Sequence, residues 1–271
     1  SKNKKKHKSV KGVNYIYIDI TEKNQIMNRL KFKFTHVVNL SGYKSQRENK
    51  KEKNKIFKVN FFGLLNLVNF FKNKKIIKFV QIGSSSEYGN GHSPLNENKV
   101  CYPNSEYGLA KLKSTNYLLK MYKYKSFPVT ILRIFNAYGP NQNTNFFIPQ
   151  VIIGCLKNKS FAISKGEQIR DFIYIDDVVS AIFLTLNNTT THGKILNIAS
   201  GSILSLKNVV KIIRKIIKKG NPEFGKIAYK KNENMKVYCK IDNVKKKLKW
   251  KPKIKFVNGI LKTINYYKKN I

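Results

Sequence analysis

Acidic residues are scarce in this 271-residue chain: 14 Asp and Glu stand against 54 Lys and Arg, for a formal charge of +40. Cysteine is scarcer still. Cys101, Cys155 and Cys239 are the only three, far apart and without a CxxC spacing, which argues against a disulfide frame or a cysteine zinc site, so no metal is expected. No apolar run reaches the roughly 18 residues needed to cross a bilayer, and no apolar stretch follows the basic opening SKNKKKHK as it would in a signal peptide. A cytoplasmic protein with no membrane partner is expected. Arginine is rare too, at Arg29, Arg47, Arg133, Arg170 and Arg214 against 49 lysines spread along the chain among Asn and Ile. Since base edges and phosphates are read best by the guanidinium fork, nucleic acid is not the expected partner, although the positive field would draw in any anionic ligand. With 41% hydrophobic and 12% aromatic residues, an intrinsically disordered chain is excluded.

Short apolar runs alternate with longer helical patterns, the signature of parallel βαβ units and hence of an α/β, Rossmann-like doubly wound sheet. Strands are predicted at residues 14–19 (NYIYID), 36–40 (HVVNL), 78–83 (KFVQIG) and 129–134 (VTILRI). The run 56–71 is apolar nearly all round, with Asn60 as the odd polar residue, and reads as a buried crossover helix. A helix over 105–123 is capped by Asn104 or Ser105. After Pro140 the spacing predicts helices at 149–155, 176–186 and 205–218, a strand at 172–174, and a closing amphipathic helix after Trp250. Residues 1–140 are therefore expected to form a dinucleotide-binding domain lacking its first βα unit. Residues 141–271 are expected to form a smaller α/β substrate lobe interleaved with it.

Tyr107 and Lys111 lie four apart, on one face of the predicted helix. Spacing alone means little, because 15 Tyr and 49 Lys give about three chance matches to Tyr-x-x-x-Lys. The physical case is that a nearby ammonium favours a phenolate and lowers the Tyr107 pKa towards neutrality, making it a general acid/base. Ahead of the pair, Ser84, Ser85 and Ser86 in GSSSEYG follow a predicted strand directly, where a parallel sheet presents its ligand crevice.

The ordered set GSSSEYG (83–89), YGLAK (107–111), LRIFNAYGP (132–140) and GEQIRDFIYIDD (166–177) resembles the extended short-chain dehydrogenase/reductase family, whose members epimerise, dehydrate or reduce nucleotide sugars. The resemblance runs from Val13 to the end, with NIASG (197–201) and LKWKP (248–252) similar to its C-terminal signatures. It implies that Ser84 bonds the reacting sugar oxygen, with Ser85 and Ser86 close alternatives. It also implies that Tyr107 exchanges a proton with the hydroxyl or ketone, that Lys111 holds the nicotinamide ribose, and that hydride passes to and from NAD, with NADP as the alternative. Asp19 and Ile20 match the residues contacting adenine, and Leu40 and Ser41 the turn passing the cofactor. Asn60 matches the helix Asn of V-N-x-x-G, and Phe135 the residue packed by the nicotinamide. Asn136 and Arg170 are implied to contact the substrate diphosphate. For Arg170 a salt bridge to Asp171 or Asp177 is the competing reading. A homodimer through the helices 56–71 and 105–123 is implied as well.

Two departures stand out. The family opens on a strand, a glycine-rich turn and a helix that holds the pyrophosphate, whereas the only early glycine is Gly12. With Ser1 rather than Met at the start, the chain reads as a fragment lacking that unit and much of the second strand, and weak NAD binding is expected of it. The family's dehydratases carry Glu two residues before the Tyr of Tyr-Gly, where Ser86 stands; Glu87 is one step on. A later family Arg is not visible either, and Lys230 or Lys231 are its candidate substitutes. The expected activity is C4 epimerisation of a nucleoside-diphosphate hexose. Reduction of a 4-keto-6-deoxy sugar is the near alternative, and a non-catalytic basic binding protein is the distant one.

Overall fold

The computed structural model describes residues 10–45, 49–229 and 232–271; the basic opening, Arg47, Lys230 and Lys231 lie outside the described residues. The elements run α1 (Lys23–Arg29), β1 (His36–Asn39), α2 (Lys50–Phe57), α3 (Gly63–Phe71), β2 (Lys78–Ser84), α4 (Glu106–Lys125), β3 (Val129–Ile134), β4 (Asn136–Tyr138), α5 (Phe147–Leu156), β5 (Ser160–Ile163), β6 (Ile169–Tyr174), α6 (Ile175–Leu186), β7 (Lys194–Ile198), β8 (Ile203–Ser205), α7 (Leu206–Ile217), β9 (Asn221–Phe224), β10 (Lys236–Val237), α8 (Asp242–Leu248) and α9 (Phe256–Asn270).

The main sheet is parallel throughout, in the order β1-β2-β3-β7. Its strands are buried on both faces, which is why they read as near-continuous apolar runs. Phe79, Val129 and Ile131 pack with Leu64, Val68 and Leu118 of α3 and α4. The alternate residues Val80, Leu132, Leu196 and Ile198 pack on the other face with Val178 and Ala181 of α6, and with Val244 and Trp250. A second core joins β4 and β6 to α5, α7 and α9 through Tyr138, Phe172, Ile152, Val210 and Ile264. Around it β6 pairs with β4 and β10 in parallel and with β8 antiparallel, while β5 pairs with β9.

The run at 14–19, expected as a strand, joins no ladder among the described residues. Its alternating apolar side chains favour an extended chain, but a strand exists only where a neighbour completes its hydrogen bonds. Here Arg29 Nη1 donates to Tyr17 O (2.7 Å) and Asp19 N donates to the Gln25 side chain (3.0 Å), so the segment is tied to α1. The helix expected at 56–71 starts earlier, at Lys50, because Asn49 caps it by accepting from Glu52 N (2.9 Å). It also contains a π-helical turn over Lys58–Phe62. Asn60 sits in that turn and donates to Ile56 O (2.8 Å) and Tyr43 O (2.7 Å), occupying a backbone acceptor that an α-helical amide would otherwise take.

Candidate active site

The C-terminal ends of β1, β2 and β3 lie along one edge of the parallel sheet, the edge at which such sheets collect ligands. Leu40 and Ser41 leave β1, Ser84 ends β2, and Phe135 and Asn136 follow β3. The first turn of α4 brings in Tyr107, because Ser105 caps that helix by accepting from Gly108 N (3.2 Å). One turn on, Lys111 is 3% exposed, and its Nζ lies 5.9 Å from the Tyr107 ring centroid and donates to Ile82 O (3.0 Å). The Ser84 hydroxyl is close enough to the Tyr107 phenol to favour its ionised form and accepts from Ser86 N (3.1 Å). Ser84, Tyr107 and Lys111 thus come together. A Cβ on Gly42 would sit 3.4 Å from Asn60 Oδ1 and 3.6 Å from Lys111 Nζ, so the β1 turn and the π-helical turn close on the same ammonium.

The electrostatics differ from the simple expectation for Tyr107. Burial pushes its phenol above the ordinary 10, the nearby Ser84 hydroxyl opposes that, and the Glu87 carboxylate adds to it. Burial also lowers Lys111 from 10.5 to about 8, against the pull of Glu87. Desolvation of the phenol is the dominant cause, and an ammonium 5.9 Å from the ring centroid does not reverse it, so the lowering towards neutrality is not reached in this state.

A stability prediction follows from Lys111. Its folded pKa is depressed, so below pH 8 the folded state carries the full cost of a buried charge. Between pH 8 and 10.5 the folded state sheds its proton before the unfolded state does, and that cost disappears. Lys111→Met is expected to stabilise the fold by up to about 3 kcal/mol at pH 7, with the gain vanishing as pH rises past 10.5. The vacated Ile82 carbonyl still accepts from Gln81 Nε2 (2.9 Å). Urea unfolding of both proteins at pH 7 and 10 measures it; an equal gain at both pH values would contradict the depressed pKa.

The remaining expected site residues have distinct surroundings. Leu40 is 68% exposed. Ser41 donates to Asn39 Oδ1 from both its amide (3.1 Å) and its hydroxyl (2.5 Å), and Asn39 donates to Gln81 Oε1 (2.8 Å). Asp19 accepts from Thr21, while Ile20 packs against Gly63 and accepts from Asn66 Nδ2 at its carbonyl (3.0 Å). Ser85 makes no side-chain hydrogen bond among the described residues. Phe135 is buried in the core beside Leu132 and Ile198. Asn136 donates to Asp171 O (3.1 Å). Arg170 pairs with Glu233 and donates to Ile169 O (2.9 Å) and Met235 O (3.3 Å). Neither acid of the competing reading is its partner. Asp171 accepts from Ser200 and Gly201, and Asp177 from the amides of Lys253 and Ile254.

Sequence reasoning missed Glu87 and Arg133 as members of the site. Glu87 is fully buried and Arg133 is 2% exposed. Glu87 Oε2 accepts from Arg133 Nε (2.8 Å) and Thr115 Oγ1 (2.8 Å), while Oε1 accepts from Ser84 N (2.9 Å). An arginine inside the apolar strand VTILRI was the available signal, since a buried guanidinium requires an acid and the chain has few. Among the described residues no three His, Cys, Asp or Glu side chains gather as metal ligands, and no helix is long and apolar enough to cross a membrane.

Residues 1–199 match the NAD dependent epimerase/dehydratase family. The chain belongs to that family. It is 30% identical to the mouse dTDP-D-glucose 4,6-dehydratase over 220 residues, covering 78% of this chain and 61% of that protein. It is equally 30% identical to the UDP-glucuronate 4-epimerase of Thermodesulfobacterium geofontis over 217 residues, covering 78% and 66%. Among solved structures, the UDP-glucuronic acid 4-epimerase of Bacillus cereus, in complex with UDP-glucuronic acid and NAD, superposes with a TM-score of 0.85 at 25% identity, over 94% of this chain and 82% of that one. The chain therefore spans about six-tenths of the length of the mouse relative. Membership of this epimerase/dehydratase family accounts for the fold.

Proposed function

We propose that this family member is a C4 epimerase of a nucleoside-diphosphate hexose, with Tyr107 as acid/base, Ser84 as its hydrogen-bond partner to the sugar oxygen and Lys111 as the cationic support. The observation carrying this reading is the state of the acid in GSSSEYG. Elimination of water needs a free acid facing the sugar, and Glu87 is fully enclosed by Arg133, Thr115 and Ser84 N, while Ser86 carries no ionisable group. What is left for chemistry is a hydroxyl, a phenol and an ammonium, the set that moves one proton on and off an alcohol oxygen.

The residues present fit the nicotinamide end of the cofactor. Lys111 has three donors and one protein acceptor, Ile82 O, in a buried position, and Leu40 presents an exposed apolar side chain just past the end of β1. Lys111 would hold the ribose hydroxyls, Leu40 and Ser41 would line the passage, and Asn60 would fix the β1 turn through Tyr43. The chemistry NAD supplies when bound is reversible uptake of the C4 hydrogen with its electron pair, which leaves no net redox change. Tyr107 takes the C4 hydroxyl proton as the alcohol becomes a ketone and returns it when the alcohol re-forms, and Ser84 keeps the phenol oriented towards that oxygen. Asn136 and Arg170 are the proposed diphosphate contacts, with Arg170 held by Glu233 in a fixed pose.

The test is incubation with catalytic NAD and, in turn, UDP-glucose, UDP-glucuronate and dTDP-glucose, followed by proton NMR of the sugar. Appearance of the C4 epimer without net NADH formation is expected. A 4-keto-6-deoxy product would place the protein with the dehydratases, and stoichiometric consumption of NADH with a 4-keto sugar would make it a reductase.

A further inference from the structure

Three elements carry the reacting groups, and one side chain touches all three. Glu87 Oε1 accepts from the backbone amide of Ser84 at the end of β2 (2.9 Å). Its Oε2 accepts from Thr115 Oγ1 (2.8 Å), on α4 one turn beyond Lys111 and two beyond Tyr107. The same oxygen accepts from Arg133 Nε (2.8 Å) on β3, two residues before Phe135. Space for the carboxylate is created by Gly83, where a Cβ would lie 2.6 Å from Glu87 Oε1. The turn is closed from both ends: Ser84 Oγ accepts from Ser86 N while Glu87 reaches back to Ser84 N, a reciprocal arrangement that fixes where the Ser84 hydroxyl points.

We propose that Glu87 is the positioning residue of this site: its buried carboxylate clamps β2, α4 and β3 together at the spacing that sets the Ser84 hydroxyl against the Tyr107 phenol. This rests on the reading of Ser84, Tyr107 and Lys111 as the reacting groups. The clamp is ionic as well as geometric. Facing the carboxylate are Tyr107 and Lys111 from α4, Arg133 from β3, Cys101 from the loop before α4, and the adjoining Tyr88, whose ring stacks on the Arg133 guanidinium (4.5 Å). The negative charge raises the proton affinity of both Tyr107 and Lys111. A residue that merely filled space would hold the turn and leave both titrations where they are.

Glu87→Gln separates the two roles, because the amide keeps an oxygen for Ser84 N and removes the charge. The pH profile of kcat/KM for C4 epimerisation is expected to move to lower pH, with kcat reduced on the order of tenfold and KM little changed, as misplacement of a reacting group produces. A reduced rate with the profile unmoved would overturn the proposal, and so would an unaltered enzyme. The second readout does not depend on turnover: NMR of 13C-labelled lysine, with the Lys111 signal identified by its absence in Lys111→Met, follows the Lys111 titration near pH 8. That titration is expected to fall in Glu87→Gln, and an unmoved Lys111 would overturn the proposal even in a protein that epimerises nothing. If the single variant fails to fold with Arg133 left unpaired, Glu87→Gln combined with Arg133→Met carries the same two measurements with the same expected directions.

Discussion

Tyr107→Phe is expected to cut turnover by roughly three orders of magnitude, within the range of general acid–base catalysis, while leaving substrate affinity nearly intact. The ring keeps its packing and the cationic contacts from Lys44 and Lys111 at 5.3 and 5.9 Å; what is lost is the one hydroxyl that faces Ser84 and can exchange a proton. Removing a group that acts only in the transition state lowers kcat and kcat/KM together. Steady-state kinetics with the substrate found active would show this. A variant with raised KM and unchanged kcat would mean that Tyr107 binds the sugar without transferring a proton, and the assignment would have to move to Ser84 or Ser85.

The second large effect concerns stability. Arg133→Met strands Glu87 in the interior without its counter-ion, and breaking one side of a buried pair costs about 3 to 5 kcal/mol, a large fraction of the stability of any domain. The guanidinium is not fully satisfied even in the native fold, since Arg133 Nη1 is buried without a partner, as is Asn197 Nδ2 on the neighbouring strand. Removing both charges should therefore hurt less than removing one: the Glu87→Gln, Arg133→Met double variant is expected to recover part of the loss, because the amide oxygen still accepts from Ser84 N while the amide nitrogen can donate to Thr115 Oγ1. Urea midpoints of the singles and the double form the cycle that measures the coupling. Additive losses would show that the pair contributes no interaction of its own.

The main sheet was legible because a strand buried on both faces must be apolar without interruption, so KFVQIG and VTILRI announce themselves. Ser105 as a cap and the four-residue step from Tyr107 to Lys111 were local facts, readable from adjacent letters. Less local features were not. β4, β8 and β10 are two or three residues long and take their identity from pairing with β6, which no short window contains. The π-helical turn at Asn60 depends on Tyr43, 17 residues away. Arg170 finds Glu233 across 63 residues and Arg133 finds Glu87 across 46, so the acids beside Arg170 in sequence were tempting and irrelevant. The run at 14–19 misled for the opposite reason: its composition suits a strand, but composition does not supply a neighbour.

Two of the three hydrophobic cores are threaded by the chain in alternation. The first takes β2 and β3, then α6 and β7, then Val244, Leu248 and Trp250; the second takes β4 and α5, then β6, then α7, then α9. Seen from a ribosome, this order matters. The main sheet lacks its fourth strand until Ile198 has emerged, and Trp250, whose indole donates to Ser180 Oγ (2.8 Å) beneath α6, emerges later still. Pairings of high sequence separation form late and slowly, so neither core can close around an early portion of the nascent chain. Closure of the first of these cores waits for Trp250 and of the second for α9, whereas the third, built from residues between Ile26 and Ile131, can form well before them.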